Sequence, residues 1–175
     1  PLPKRLPSRS SLVDTFAPAT ACWHMIGSLQ PNKVKHLLRV PSLGLLHSLD
    51  RVELADALNG RLARVASKLN VLVQVEATGD ANKHGVTPEL APSLVEHVQE
   101  HCPQLEIQGL MAMGPLEGDP TTVFQEVAAL RDSLRERSGL AMPELSLGMS
   151  GDLEVGIAAG STLVRIGSDI FGQRA

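Results

Sequence analysis

The sequence predicts an α/β fold, a parallel sheet or (β/α) barrel of six βα units, and three observations carry that expectation. From Cys22 onward, short β-rich runs alternate with stretches of helical period, the pattern of parallel α/β sheets and barrels. The β-rich runs are continuously apolar, as strands buried on both faces are. The helical stretches between them carry recognisable ends made of Pro, Thr, Asp and Gly.

In chain order, the strands are expected at Trp23 to Gly27, Leu45 to Leu49, Val71 to Val75, Ile107 to Met113, Leu145 to Met149 and Leu163 to Gly167. Lys33 and Lys35 open a helix after the first strand. Thr87 and Pro88 read as the N-cap and first residue of a helix whose apolar face is Leu90, Leu94 and Val98, with Pro103 as its stop. Asp119 and Pro120 repeat that start. There the apolar face is Phe124, Val127, Ala128 and Leu134, and Gly139 stands where a left-handed C-terminal cap belongs. A further helix from about Gly151 to Ala159 ends at Gly160 in the same way. A closed eight-stranded barrel usually takes about 250 residues and at least about 200, and roughly 155 remain here once a leading tail is set aside. Either the sheet is open, or two units are missing.

The chain has 175 residues, 43% apolar, 20% charged and 2% aromatic, which suits one globular core. Sixteen Lys plus Arg against 19 Asp plus Glu leave a net charge of −3, so the broad basic field that nonspecific nucleic-acid binding uses is missing. No apolar run approaches the roughly 18 residues of a membrane span, and Cys22 and Cys102 cannot make a disulfide framework. These features point to a cytoplasmic chain, with an organelle as the alternative. Residues 1–20 hold four prolines and three basic residues against one acid. That composition suits a disordered tail or truncation scar; a transit peptide is the lesser reading, because the prolines oppose an amphipathic helix. The domain is accordingly expected over 21–175.

The richest chemistry lies at the C-terminal end. Leu145-Ser146-Leu147-Gly148-Met149-Ser150-Gly151-Asp152 and Leu163-Val164-Arg165-Ile166-Gly167-Ser168 each run from a strand into a Ser/Gly turn at a helix start. Free N–H groups and positive helix ends would converge there, forming an anion site. The bland reading is that Ser150 and Ser168 cap helices and the glycines make turns. Arg165 lies inside an apolar strand, where its guanidinium needs an acceptor, either a ligand or a carboxylate in a structural ion pair. His24 and His47 fall in strands and are secondary pocket candidates; Met111 and Met113 read as core or pocket lining. His97-Val98-Gln99-Glu100-His101 matches H-x-x-E-H, but a solvated helix face explains it better than a zinc-peptidase centre, which also needs a third ligand and a cleft. The cysteines lack a C-x-x-C pairing, and no P-loop or G-x-G-x-x-G follows a strand.

Trp23 to Lys33, His47-Ser48-Leu49-Asp50, Lys83-His84-Gly85, Gly109-Leu110-Met111 and the Gly148-to-Gly172 segment together resemble the pyridoxal phosphate homeostasis protein family. The likeness runs in order from about Trp23 to Arg174, and its longest block, Gly-Met-Ser-x-Asp through Gly-Ser-Thr-x-Val-Arg-Ile-Gly-x-x-Ile-Phe-Gly, is highly specific. It implies a barrel of the alanine racemase N-terminal type that holds pyridoxal 5′-phosphate (PLP) at the C-terminal mouth of its strands. On that likeness Ser150 and the Gly167-Ser168 backbone would hold the phosphate, with Met149 nearby. Arg165 would face the pyridine nitrogen, making the cofactor a poor electron sink, and His24 would stand on the inner wall. The role implied is non-catalytic PLP binding and homeostasis.

The likeness also implies a lysine at the end of a first strand, carrying PLP as a Schiff base, and a following unit with a Gly-Glu-Asn-type motif. Neither is found. Lys4 lies in the tail, Lys33 and Lys35 open a helix, Lys68 precedes a strand and Lys83 sits in a loop. The expectation is thus an N-terminally truncated, incomplete barrel of about six of eight units, with the phosphate half-site but no covalent anchor. Its open sheet edges favour a homo-oligomer or pairing with a homologue. Two alternatives stand beside it: a PLP-dependent racemase or isomerase, and a non-binding fragment acting through its edges.

Overall fold

The computed structural model describes residues 22–80 and 84–172. The tail expected over 1–20, with Lys4, and the loop lysine Lys83 lie outside the described residues. The elements run β1 (Trp23–Met25), a 3-10 turn (Pro31–Lys33), α1 (Val34–Leu37), β2 (Leu43–Leu49), α2 (Val52–Ala63), β3 (Leu69–Val75) and α3 (Ala91–His101). They continue with β4 (Leu105–Ala112), α4 (Thr121–Ser138), β5 (Glu144–Met149), α5 (Leu153–Ala158), β6 (Leu163–Arg165) and α6 (Ser168–Phe171).

The strands form one parallel sheet in the order β1-β2-β3-β4-β5-β6. Strict sequential order with right-handed crossovers puts every helix on the same side of the sheet. The described strands form the incomplete barrel of six units that the sequence predicts, open between β1 and β6, which are its edges. None of the described helices is long and apolar enough to cross a membrane.

The two faces of the sheet are buried in different ways. On the helix side, Leu46, Val71, Val73, Leu110, Leu145 and Leu147 pack against Leu54, Leu58, Leu94, Val98, Phe124 and Val127 in one continuous core. At roughly 1.5–3 kcal/mol for each large apolar side chain buried, this layer dominates stability. None of the described helices covers the other face, yet Leu45, Leu72 and Met111 are 5%, 0% and 1% exposed and form a cluster with Leu163. They bury one another, which requires the sheet to curl into a trough with these residues as its floor.

A bulge in β4 assists the register. Val71 pairs with Ile107 and Leu72 with Gly109, so Gln108 is the extra residue, and its amide donates to Asn70 Oδ1 at 3.0 Å. Gly109 has φ +152°, and a Cβ there would lie 1.7 Å from the Glu144 carbonyl oxygen on β5. Only glycine lets β4 and β5 approach this closely.

Helix ends were harder to read from sequence than strands. Thr87-Pro88 forms a lead-in turn: the Thr87 carbonyl accepts from Leu90 and Ala91, α3 starts at Ala91, and Leu90 is 59% exposed instead of facing the core. Leu94 and Val98 are buried as expected. α5 starts at Leu153, not Gly151, because residues 150–152 are occupied by a turn. Asp119 does supply a start for α4, taking the Thr121 N–H at 2.9 Å, and Gly139 closes that helix in the left-handed conformation, φ +71°.

Candidate functional site

The polar groups of the trough sit one layer above its apolar floor, toward the C-terminal ends of the strands. Alternation along parallel strands directs His47 of β2, Gln74 of β3, Ser146 of β5 and Arg165 of β6 to this face, and all four are buried. Three of them, Arg165, Ser146 and His47, form a connected chain that ends on His24. Arg165 donates NH1 to Ser146 Oγ at 2.7 Å and to the Ser146 carbonyl at 2.8 Å, and NH2 to the Ala112 carbonyl at 2.8 Å. Ser146 Oγ lies 3.0 Å from His47 Nδ1, and His47 Nε2 lies 3.0 Å from His24 Nδ1.

Since arginine can only donate, one direction gives every proton an acceptor. Arg165 donates to Ser146, the Ser146 hydroxyl to His47 Nδ1, and His47 Nε2–H to His24. This assignment needs a neutral His47. Burial, then the neighbouring His24 and Arg165, lower the His47 pKa from 6.5 to about 4. Burial likewise pulls the Arg165 pKa down, while the charge of Asp152 pushes it up. Of the two acceptors expected for Arg165, a ligand or a carboxylate, the carboxylate is not found: its acceptors are neutral, and no described acid lies within ion-pair distance of it.

Beyond the strand ends lie the two turns singled out in the sequence. The register pairs Met149 with Arg165, which sets residues 150–152 beside the segment leading to Gly167 and Ser168. α5 reaches this place by packing Gly156 on Gly148, where a Cβ on Gly156 would be 2.9 Å from Gly148 Cα. Asp152 holds the first turn together by taking the Met149 N–H at 2.6 Å. Ser150 does not cap α5. Its Oγ is buried and has no hydrogen-bond partner among the described residues. Ser168 is the first residue of α6 and makes no side-chain cap either; the Gly167 carbonyl accepts from Ile170 and Phe171. As at any helix start, the first N–H groups of α6 have no carbonyl within the helix to bond.

The remaining candidates are placed as follows. Met149 is 38% exposed at the mouth, Met111 belongs to the floor, and Met113 is half-buried. His24 is exposed on the edge strand β1, so it reaches the trough through His47 and does not form a closed wall. Lys68 pairs with Glu106 at 2.9 Å at the opposite end of the strands, and Lys35 is exposed on α1. Lys33 lines a cleft of about 750 Å³ at the end of β1 with Met25, Arg51 and His84. Sequence reading passed over Ser146, Gln74 and Ser161. Gln74 donates to the His84 carbonyl at 2.7 Å, and Ser161 Oγ ties the α5–β6 link to the carbonyls of Leu145 and Leu147. For Ser146 and Gln74 the available signal was strand parity: a small or polar residue on the inward side of an apolar run.

Does this site suit PLP? A buried serine hydroxyl lacking a partner, an N–H-bearing helix start and a guanidinium form a donor set for a phosphate and a ring nitrogen. No described lysine stands on the trough face.

The alanine racemase, N-terminal domain family matches residues 17–175. The chain is 44% identical over 161 residues to the pyridoxal phosphate homeostasis protein of Bos taurus, covering 87% of this chain and 59% of that one. It is 42% identical over 155 residues to the protein of that name from Aquifex aeolicus, covering 87% and 67%. It thus spans about three fifths of the mammalian relatives it matches. Among solved structures, PipY of Synechococcus elongatus PCC7942 with PLP bound superposes with a TM-score of 0.81 at 28% identity, over 93% of this chain and 74% of that one. Alanine racemase from Corynebacterium glutamicum shares the fold, with a TM-score of 0.70 at 14% identity over 94% and 45%.

Proposed function

The chain belongs to the alanine racemase N-terminal domain family, and from that premise we propose that it binds PLP in the trough and serves PLP homeostasis without turning over a substrate. The observation that carries this reading is the orphaned Ser150 hydroxyl. A buried hydroxyl without an acceptor or donor costs on the order of 1–3 kcal/mol, and a phosphate oxygen at the mouth relieves that cost. Ser150 and the Gly167-Ser168 backbone would hold the phosphate, with Met149 beside it. Arg165, fixed by three hydrogen bonds, would face the ring nitrogen.

PLP supplies an electron sink when its ring nitrogen is protonated, and a guanidinium opposite that nitrogen opposes the protonation. Arg165 therefore supports binding and distribution over catalysis. His24 would line the open side of the trough. The PLP family name of the curated relatives and the PLP-bound PipY structure support the same reading. The cytoplasm is the compartment this reading assigns, and the open edges of β1 and β6 support pairing of chains.

The test is a PLP titration of the purified chain followed by absorbance, then borohydride reduction and intact mass. Saturable binding that Ser150→Ala and Arg165→Ala each weaken is the expected result. An adduct of PLP mass on Lys33 or another lysine would add a covalent anchor to the same site. Absence of saturable binding would overturn the proposal. Racemisation of an amino acid by the PLP-loaded chain would replace the non-catalytic role with the enzymatic one.

A further inference from the structure

The H-x-x-E-H segment is left over once the trough is described, and the structure gives it an unexpected setting. His97 does not act with Glu100. It turns toward α2, where its Nε2 lies 2.8 Å from Asp56 Oδ1. The Cys102 thiol, at the end of the same helix, donates to the same carboxylate oxygen at 3.6 Å. The three potential ligand atoms all lie within 4.8 Å of one another. We propose that Asp56, His97 and Cys102 form a site for one divalent transition-metal ion of the zinc type, clamping α2 to the C-terminal end of α3.

Donor chemistry sets the class of ion. One carboxylate oxygen, one imidazole nitrogen and one thiol sulfur suit zinc and its neighbours and are poor for magnesium or calcium, which take oxygen ligands. Zinc bonds of about 2.0–2.3 Å in a tetrahedron place ligand atoms roughly 3.3–3.8 Å apart. The sulfur-to-carboxylate distance already fits. The Asp56–His97 contact needs to open by about half an ångström, a side-chain adjustment, to reach that spacing.

The surroundings hold the ligands in place and leave a way in. Asn59, one turn after Asp56, takes the Gln104 N–H at 3.0 Å and donates to the His101 carbonyl at 3.3 Å, tying α2 to the turn that contains Cys102. Cys102 itself bonds back through its N–H to the Val98 carbonyl at 3.0 Å. Cys102 is buried, whereas the side chains of Asp56 and His97 are 54% and 24% exposed. Three protein ligands leave a fourth tetrahedral position for water on the Asp56 side. Loading the ion releases the thiol proton to solvent, and the proton that His97 Nε2 donates to Asp56 is exchanged through solvent for one on Nδ1, which leaves the Nε2 lone pair for the ion. Both helices lie on the side of the sheet away from the trough, so this site stands or falls independently of PLP binding.

Cobalt(II) titration of the chelator-treated, tag-free chain tests the proposal, with zinc(II) added afterwards as competitor. The expected result is a thiolate-to-cobalt charge-transfer band that saturates at one equivalent and is bleached by zinc. Cys22→Ser should keep that band, Cys102→Ser should abolish it, and His97→Gln should weaken binding by at least about tenfold, the loss seen when even an outer partner of a metal ligand is removed. If circular dichroism shows that Cys102→Ser does not fold, Asp56→Asn, at an exposed position, takes its place with the same tenfold criterion. Absence of a thiolate band in the parent chain overturns the site. So does a band that survives Cys102→Ser, which would place the ion on Cys22, the other cysteine of the chain.

Discussion

The Ser146 hydroxyl stands between Arg165 NH1 at 2.7 Å and His47 Nδ1 at 3.0 Å, joining a buried cation to a buried imidazole across the trough. The serine accepts from one and donates to the other, so the protonation state of His47 decides whether the chain of bonds holds.

Stability should therefore depend on acid pH in a defined window. His47 is held at about 4 against 6.5 when exposed. Between those values the unfolded chain binds a proton that the folded chain refuses, so the stabilisation is complete above pH 6.5 and is lost as the pH falls toward 4. The difference is worth up to about 3 kcal/mol. Urea unfolding from pH 7.5 to 4 should show this slope, and His47→Gln should flatten it. An equal slope in the variant would remove His47 as its source.

Ser150→Ala separates binding from folding. The hydroxyl is buried and bonds no described group, so its loss should not lower the unfolding free energy of the ligand-free chain and should raise it by up to about 1–3 kcal/mol, the cost of an unpaired buried hydroxyl. PLP affinity should drop by about tenfold to a hundredfold, the worth of a hydrogen bond to a charged acceptor. Calorimetric titration of both proteins reads the second quantity directly, and unchanged affinity would remove Ser150 from the phosphate site.

Gly109→Ala should be among the most damaging single-methyl changes in the chain. The new carbon would meet the Glu144 carbonyl at 1.7 Å with the backbone at φ +152°. β4 and β5 would have to part, at a cost of more than about 3 kcal/mol. Gly118→Ala, where nothing lies within 4 Å of the added carbon, provides the comparison that isolates the steric term from the positive φ. Similar melting points for the two variants would contradict the close approach.

The unpaired edges predict self-association. At the β6 side Val164, Ile170 and Phe171 are 40%, 60% and 69% exposed. Sedimentation velocity over a hundredfold range of concentration should show a reversible shift to larger species. Val164→Lys should suppress it, and a parent chain that stays monomeric throughout would count against edge pairing.

The four central strands were legible because each is a largely apolar run buried on both faces; Leu69–Val75 needed two residues added at its start, Leu105–Ala112 two added there and Met113 dropped, while the edge strands stop two residues short of the expected ends, at Met25 and Arg165. The helix starts were less legible because Thr87-Pro88 suits a turn as well as a cap, and the choice depends on where Leu90 can be buried. Within the site, Arg165 stood out because a charge in an apolar strand demands an explanation. Ser146 did not, since a single serine between two leucines is ordinary; its importance comes from β2 and β6 converging on it, which needs the sheet to curl. The Asp56–His97 contact spans 41 residues, and no local spacing encodes it.

Leu45, Leu72 and Met111, with the partly buried Leu163 packed against them, are dry because the sheet is bent. Flattening it would wet this floor and pull β6 away from β2, lengthening the path from Arg165 to His47. Curvature and ligand readiness are thus one mechanical variable, and anything that stiffens the bend, from a neighbouring strand at an edge to a molecule bridging Ser150 and Arg165, would act on both at once.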